Sequence, residues 1–197
     1  MPAPPPPPAA PALPASGLLG GLALAAVAAA TALQPLPPAP AVRAERAGPA
    51  GCAVSPPGFL AGRLYGDVDL ALDWRGSRLR CDGMLRDDDG LRLMFAGPVD
   101  GATGELVLVV GIGGTLAGIE GAERPANVTL IDQRTGRFYA ARGPGRCWTT
   151  VLAADPLPAG GYRLTGTLYC AGALPALQDA GSVTLGDVRY AGRLAVE

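Results

Sequence analysis

The chain contains no histidine and no lysine. Without an imidazole there is no general base for a serine or cysteine nucleophile, and without an amine there is no Schiff-base chemistry. All 16 basic residues are arginines, scattered from Arg43 to Arg193 against 17 acids, for a formal net charge of -1. No basic stripe is present to grip nucleic acid or an anionic membrane surface, so neither is expected as a partner. Also missing is any apolar stripe at helical spacing beyond residue 58, and any Cys-x-x-Cys pair of the kind zinc knuckles use. What is left for catalysis is carboxylate, tyrosine and arginine chemistry, or a metal held by oxygen ligands. No cofactor is expected, and bridged cysteines are not nucleophiles.

What is present is glycine, proline and alanine. The 29 Gly and 21 Pro, together with arginine in place of lysine, are the composition of a GC-rich bacterial genome. At 197 residues the chain is long enough for one domain with its own core and short for two.

Residues 2–14, with Pro4 to Pro8 consecutive, cannot form helix or sheet ladders and are expected to be extended polyproline. From Gly17 to Leu33 no residue is charged, and residues 1–34 read as a signal peptide or membrane anchor. Export is favoured by the alanine-rich run, by the small-residue pattern Ala30-Thr31-Ala32, and by the cysteines that follow. Against it, the segment before the run carries no positive charge, while Arg43 and Arg46 follow. Residues 35–57 form a Pro/Ala-rich linker. Ala50-Gly51-Cys52 is similar to a lipidation signal, but Pro49 stands where an aliphatic residue belongs and Cys52 lies far past the apolar run.

Residues 58–197 read as an all-β domain. Val68, Leu70, Leu72 and Trp74 alternate with Asp67, Asp69, Ala71 and Asp73, the period-two pattern of a strand with one wet face. Leu79, Cys81, Gly83 and Leu85 continue it, Arg86 to Gly90 makes a turn, and Leu91, Leu93 and Phe95 return as the second half of a hairpin. Further candidates are 105–111, 127–132, 137–141, 147–152, 161–170, and 182–196 with a break at Gly186-Asp187. About nine short strands separated by Gly, Pro and Asp turns indicate a disulfide-stapled β-sandwich, with a β-barrel as the alternative. A faint repeat, Leu79-x-Cys81-x-Gly83-x-Leu85 against Leu168-x-Cys170-x-Gly172-x-Leu174, with Phe95-Ala96-Gly97 echoed by Tyr190-Ala191-Gly192, raises a duplicated half-domain.

Several stretches carry a sharper reading and fail it. Leu106 to Val110 with Gly111 and Gly113, then Val128 to Asp132, could be a dinucleotide-binding unit. That fingerprint needs a small residue where Leu116 stands, and Gly114, Gly118 and Gly121 make a poor crossover helix, each costing about 1 kcal/mol against alanine. Two antiparallel strands joined by a Gly-rich excursion fit better. Asp87-Asp88-Asp89-Gly90 lacks the alternating oxygen ligands and closing Glu of a calcium hand, and reads as a hairpin tip. Asn127-Val128-Thr129 matches a glycosylation acceptor but lies within a strand. Asp67, Asp69 and Asp73 share one strand face, where a cation or sugar could bind or where water simply solvates them. Trp74 and Trp148 read as core fillers, since neither has a second aromatic at matching spacing in sequence.

Cys52, Cys81, Cys147 and Cys170 are the strongest chemical signal: an even number, widely spaced, with no histidine to complete a zinc site, points to two disulfides in an oxidising compartment. If the later hairpin pairs Asp155 with Tyr162, the same register sets Cys147 opposite Cys170, leaving Cys52 to Cys81. Cys81 to Cys170 would suit the duplicated arrangement instead. The chain is thus expected to be an extracytoplasmic domain, in the periplasm or on the cell surface. Its expected role is a non-enzymatic binding or structural module for a ligand or envelope protein, touching the membrane only through the apolar segment if that is not cleaved. The rival is a carboxylate-dependent hydrolase such as a glycosidase, which needs two acids facing each other across a cleft.

Overall fold

The computed structural model describes Cys52 and residues 54–196, apart from Asp88 and residues 142–144. The expected signal or anchor segment and most of the linker lie outside these residues. The first half of the domain contains β1 (Phe59–Gly66), β2 (Leu70–Arg75), a single 3₁₀ turn at Gly76–Arg78, β3 (Arg80–Arg86), β4 (Gly90–Pro98) and β5 (Glu105–Gly113). The second half contains β6 (Glu123–Asp132), β7 (Arg137–Ala140), β8 (Cys147–Pro156), β9 (Tyr162–Cys170), β10 (Leu174–Pro175), β11 (Ser182–Leu185) and β12 (Val188–Leu194). The described residues form no α-helix.

All twelve strands belong to one open antiparallel sheet, in the order β10-β11-β1-β12-β9-β8-β6-β5-β4-β3, with β2 added on β1 and β7 on β6. The sheet curls until β3, the last strand of that order, reaches β12. Just past the end of β12, Ala195 N donates to Gly83 O at 2.8 Å. One continuous sheet therefore supplies both sides of the core. Along β4 and β5 the inward residues stand in register, Leu91 opposite Ile112, Leu93 opposite Val110 and Phe95 opposite Leu108, and all are buried. Period-two alternation places them there, because successive side chains point to opposite faces of a strand. Across the core, the Phe95 and Tyr190 rings meet at 5.6 Å with a tilt of 49°.

Two bridges staple the sheet, Cys52 to Cys81 and Cys147 to Cys170, and no described cysteine is free. The second joins directly opposite residues of β8 and β9. The route to that pairing differs from the expected one. At the hairpin tip Asp155 faces Arg163 and Pro156 faces Tyr162, one residue away from the expected register, and an irregularity between Val151 and Ala153 absorbs the difference. Leu152 is the extra residue. A bulge of this kind bends and twists its strand locally, which suits a sheet that curls.

Strands β1 and β10 were not anticipated. In β1 the inward residues are Leu60, Gly62 and Leu64, and Gly62 breaks the apolar series because a side chain there would run into Val188. The repeat of the sequence is only half structural. Leu79 to Leu85 runs along β3, whereas the second copy leaves β9 at Cys170 and turns through Gly172, with φ of 111°. The two copies of the motif therefore do not occupy equivalent elements.

Candidate functional site

The acids singled out by the sequence do not converge. Asp73 accepts from Arg75 Nε at 2.7 Å, and Asp69 pairs with Arg63. Asp67 lies in the turn between β1 and β2 and leaves the row altogether: its Oδ2 accepts from Arg137 Nη1 at 2.7 Å and lies 3.4 Å from Tyr139 Oη. Arg137 also donates from Nε to Asp179 Oδ2 at 2.9 Å and from Nη2 to Ala180 O at 2.7 Å. That network ties β7 to the segment before β11. The row of carboxylates is thus divided among three different arginines, and among the described residues no group of three acids or cysteines could hold a metal ion.

The Gly-rich stretch resolves as the antiparallel reading requires. Gly111 and Gly113 are strand residues of β5, Gly111 lies opposite Asn127 of β6, and Leu106 lies opposite Asp132. No crossover helix separates the two strands. Asp132, the acid that would have held a ribose, is buried at the end of β6 and closes the β6–β7 turn. Its Oδ1 accepts from Arg134 Nε at 2.8 Å and from Arg134 N at 3.0 Å, and its Oδ2 accepts from Arg134 Nη2 at 2.8 Å. Burial pushes its pKa up, but the hydrogen bonds and charge of Arg134 outweigh that, so the carboxyl sits below its ordinary range.

Asp87 and Asp89 flank the tip of the β3–β4 hairpin, where Asp89 takes a left-handed φ of 56°. That conformation suits a short polar side chain in a tight turn; Asp88 is outside the described residues. Asn127 is exposed on the outer face of β6.

The tryptophans separate. Trp74 fills the core as expected: it is buried, its Nε1 donates to Pro98 O at 3.1 Å, and its indole lies on Gly97. Trp148 does not. Cys147, Thr149 and Val151 take the inner face of β8, so Trp148 falls on the outer face, half-buried, with Tyr169 of β9 directly opposite. The two rings stack at 5.4 Å with only 22° between their planes. The partner invisible in linear spacing was implied by the cysteines: any register that pairs Cys147 with Cys170 also pairs Trp148 with Tyr169.

Tyr169 is further fixed by its hydroxyl, which donates to Glu123 Oε2 at 3.0 Å. Glu123 is on β6, on the far side of β8, so the Tyr169 side chain reaches across β8 while its ring stacks on Trp148. The carboxylate bond, helped by partial burial and by the Glu123 charge, raises the Tyr169 pKa above its ordinary value. A second outer row runs beside the aromatic pair, with Glu123 opposite Thr150, Thr150 opposite Thr167 and Thr167 opposite Arg189. Arg189 is exposed and enters none of the ion pairs among the described residues.

No family model, curated protein or solved structure matches the chain.

Proposed function

We propose that the folded part is a non-catalytic binding or structural module of the cell envelope, exported or held to the membrane through its N-terminal apolar segment. The observation that carries this reading is how the acids are used. Asp67, Asp69 and Asp73 each close an ion pair with a different arginine. A carboxylate hydrolase needs one free carboxylate and one protonated acid facing each other, about 5 to 9 Å apart across a cleft. Three acids each engaged by its own arginine do not form such a facing pair. The absence of His and Lys removes the commoner bases and nucleophiles.

The compartment follows from the staples. Two disulfides in a domain of this size indicate an oxidising, extracytoplasmic environment. No helix among the described residues is long and apolar enough to cross a membrane, and residues 17–33 lie outside them.

The test is to incubate the oxidised full-length protein with glycoside and ester substrates, with and without calcium or magnesium. No release of product above the buffer control is expected. Turnover that disappears in Asp67→Asn, Asp69→Asn or Asp73→Asn, with both bridges intact, would restore the hydrolase.

A further inference from the structure

We propose that the outward face of Tyr169, backed by Trp148, is a stacking platform for a neutral pyranose ring, making the module a glycan binder; this rests on the binding-module reading above. Tyr169 is held at three points: its backbone in β9, its ring against Trp148, and its hydroxyl on Glu123. A ring so fixed loses little conformational freedom when a ligand settles on it, which is how preorganised sites limit the entropy cost of binding. Yet the residue remains 39% exposed. Trp148 stacks on one face of the ring, and the exposed part of the ring is open to solvent with its hydroxyl anchored.

The surroundings choose the ligand. A pyranose offers an apolar face of C–H groups and an equator of hydroxyls. The aromatic face accepts the first. Thr150, Thr167, Glu123 and Arg189, in the adjoining row, supply donors and acceptors for the second. That row spans four neighbouring strands, roughly 14 Å at the usual interstrand spacing of about 4.8 Å, which is room for more than one sugar ring. Its two charged ends are of opposite sign, so neither a polyanion nor a polycation is favoured over a neutral chain.

A polyproline peptide, the other ligand of aromatic surfaces, docks in a trough between aromatic ridges. Here the two rings are stacked on each other, so no trough opens between them. The cavity lined by Leu116, Ile119, Glu120 and Tyr162 includes neither Tyr169 nor Trp148, and their exposed position on the sheet suits a polymer passing over it.

The experiment titrates the oxidised full-length protein with oligomers of glucose, N-acetylglucosamine, mannose and galactose, and separately with an oligoproline peptide. Binding is read by calorimetry and by tryptophan emission. Trp74 is buried and Trp148 is not, so a bound sugar is expected to shift emission through Trp148. At least one sugar series should bind. Tyr169→Ala should weaken it about 10-fold or more, in line with the loss of an aromatic stack and its contact area. Tyr169→Phe keeps the ring, loses the Glu123 tether and should weaken binding less. Intact bridges and an unchanged circular dichroism spectrum establish that the variants fold. Absence of binding to every sugar, binding to oligoproline alone, or sugar affinity unchanged in Tyr169→Ala would each overturn the platform and leave the binding-module reading standing. Cleavage of the oligomers would instead contradict that reading.

Discussion

Gly97 is where a missing side chain lets a large one in. A Cβ built there would lie 2.3 Å from the Trp74 ring, and the neighbouring ring atoms are as close. Neither the strand backbone nor a buried indole can move aside cheaply, and overpacking of this kind costs about 1 to 3 kcal/mol or more. Gly97→Ala is therefore expected to lower the unfolding free energy by that much, read as a lower urea midpoint with an unchanged m-value. Gly113→Ala is the control, since a Cβ on Gly113 meets no atom within 4 Å and its backbone is ordinary strand. Gly192 plays the same part for Phe95, at 2.8 Å. Each aromatic-Ala-Gly triplet of the sequence thus encodes a ring packed inward and a gap beside it.

Asp132 carries a pH dependence of definite sign. Its folded pKa lies below the ordinary value of 3.8, so it binds protons less readily in the folded than in the unfolded state. Its contribution to stability is complete above 3.8 and is lost as pH falls from there through the lower folded value. Unfolding free energies measured between about pH 5 and pH 2 should fall for the native chain and fall less steeply for Asp132→Asn. At neutral pH the same variant should be less stable by about 1.5 to 3 kcal/mol, the scale of a hydrogen bond to a charged group. An equal acid slope in both proteins would mean that Arg134 does not hold this carboxylate.

At the scale of elements, the β8–β9 hairpin has the most specific consequence. Leu152 is 59% exposed and sits where the ladder slips, so the pairings on either side of it already match. Deleting Leu152 should leave Cys147 opposite Cys170, and non-reduced peptide mapping should still recover the two in one linked fragment. Free thiols at Cys147 and Cys170 in that variant would contradict the assignment of Leu152 as the extra residue.

The same hairpin shows what the sequence could and could not disclose. Alternation exposed β2 to β6, β8 and β9, because apolar residues recur at every second position there, even though Gly83 of β3 is small and Val107 and Val109 of β5 are apolar and face outward. It missed β1, where Gly62 makes room for Val188, and β10, which is too short for any period. The tip register was misread by one, since a bulge leaves no residue signature of its own. Trp148 reads as a core filler because no second aromatic stands at matching spacing in the chain, although the pairing of the cysteines already required it to face outward beside Tyr169. Cross-strand partners are legible only once a register is settled, so a site built from β6, β8, β9 and β12 is invisible to linear spacing. The carboxylate row failed for a related reason: Arg137, which draws Asp67 away, is separated from it by 70 residues.

For the whole molecule, the bridges and the curl of the sheet work together. Cys52 to Cys81 ties the segment ahead of β1 to β3, and Cys147 to Cys170 ties neighbouring strands across the other part of the sheet. Loops of 29 and 23 residues are closed by them. Removing a native bridge from a small secreted domain typically costs about 2 to 5 kcal/mol. Reduction should accordingly lower the melting temperature, and the Cys147→Ala/Cys170→Ala double variant should melt below the oxidised native chain. Such a domain depends on a compartment that keeps its thiols oxidised.

Whether the proposed envelope module is folded and stapled outside the cytoplasm is decided by fractionating the native cells, trapping thiols on lysis, and mapping the peptides of the recovered protein without reduction. The domain should leave with the extracytoplasmic or membrane fraction and yield two linked fragments, Cys52 with Cys81 and Cys147 with Cys170. Recovery of the protein from the cytosol with all four thiols alkylated would contradict it.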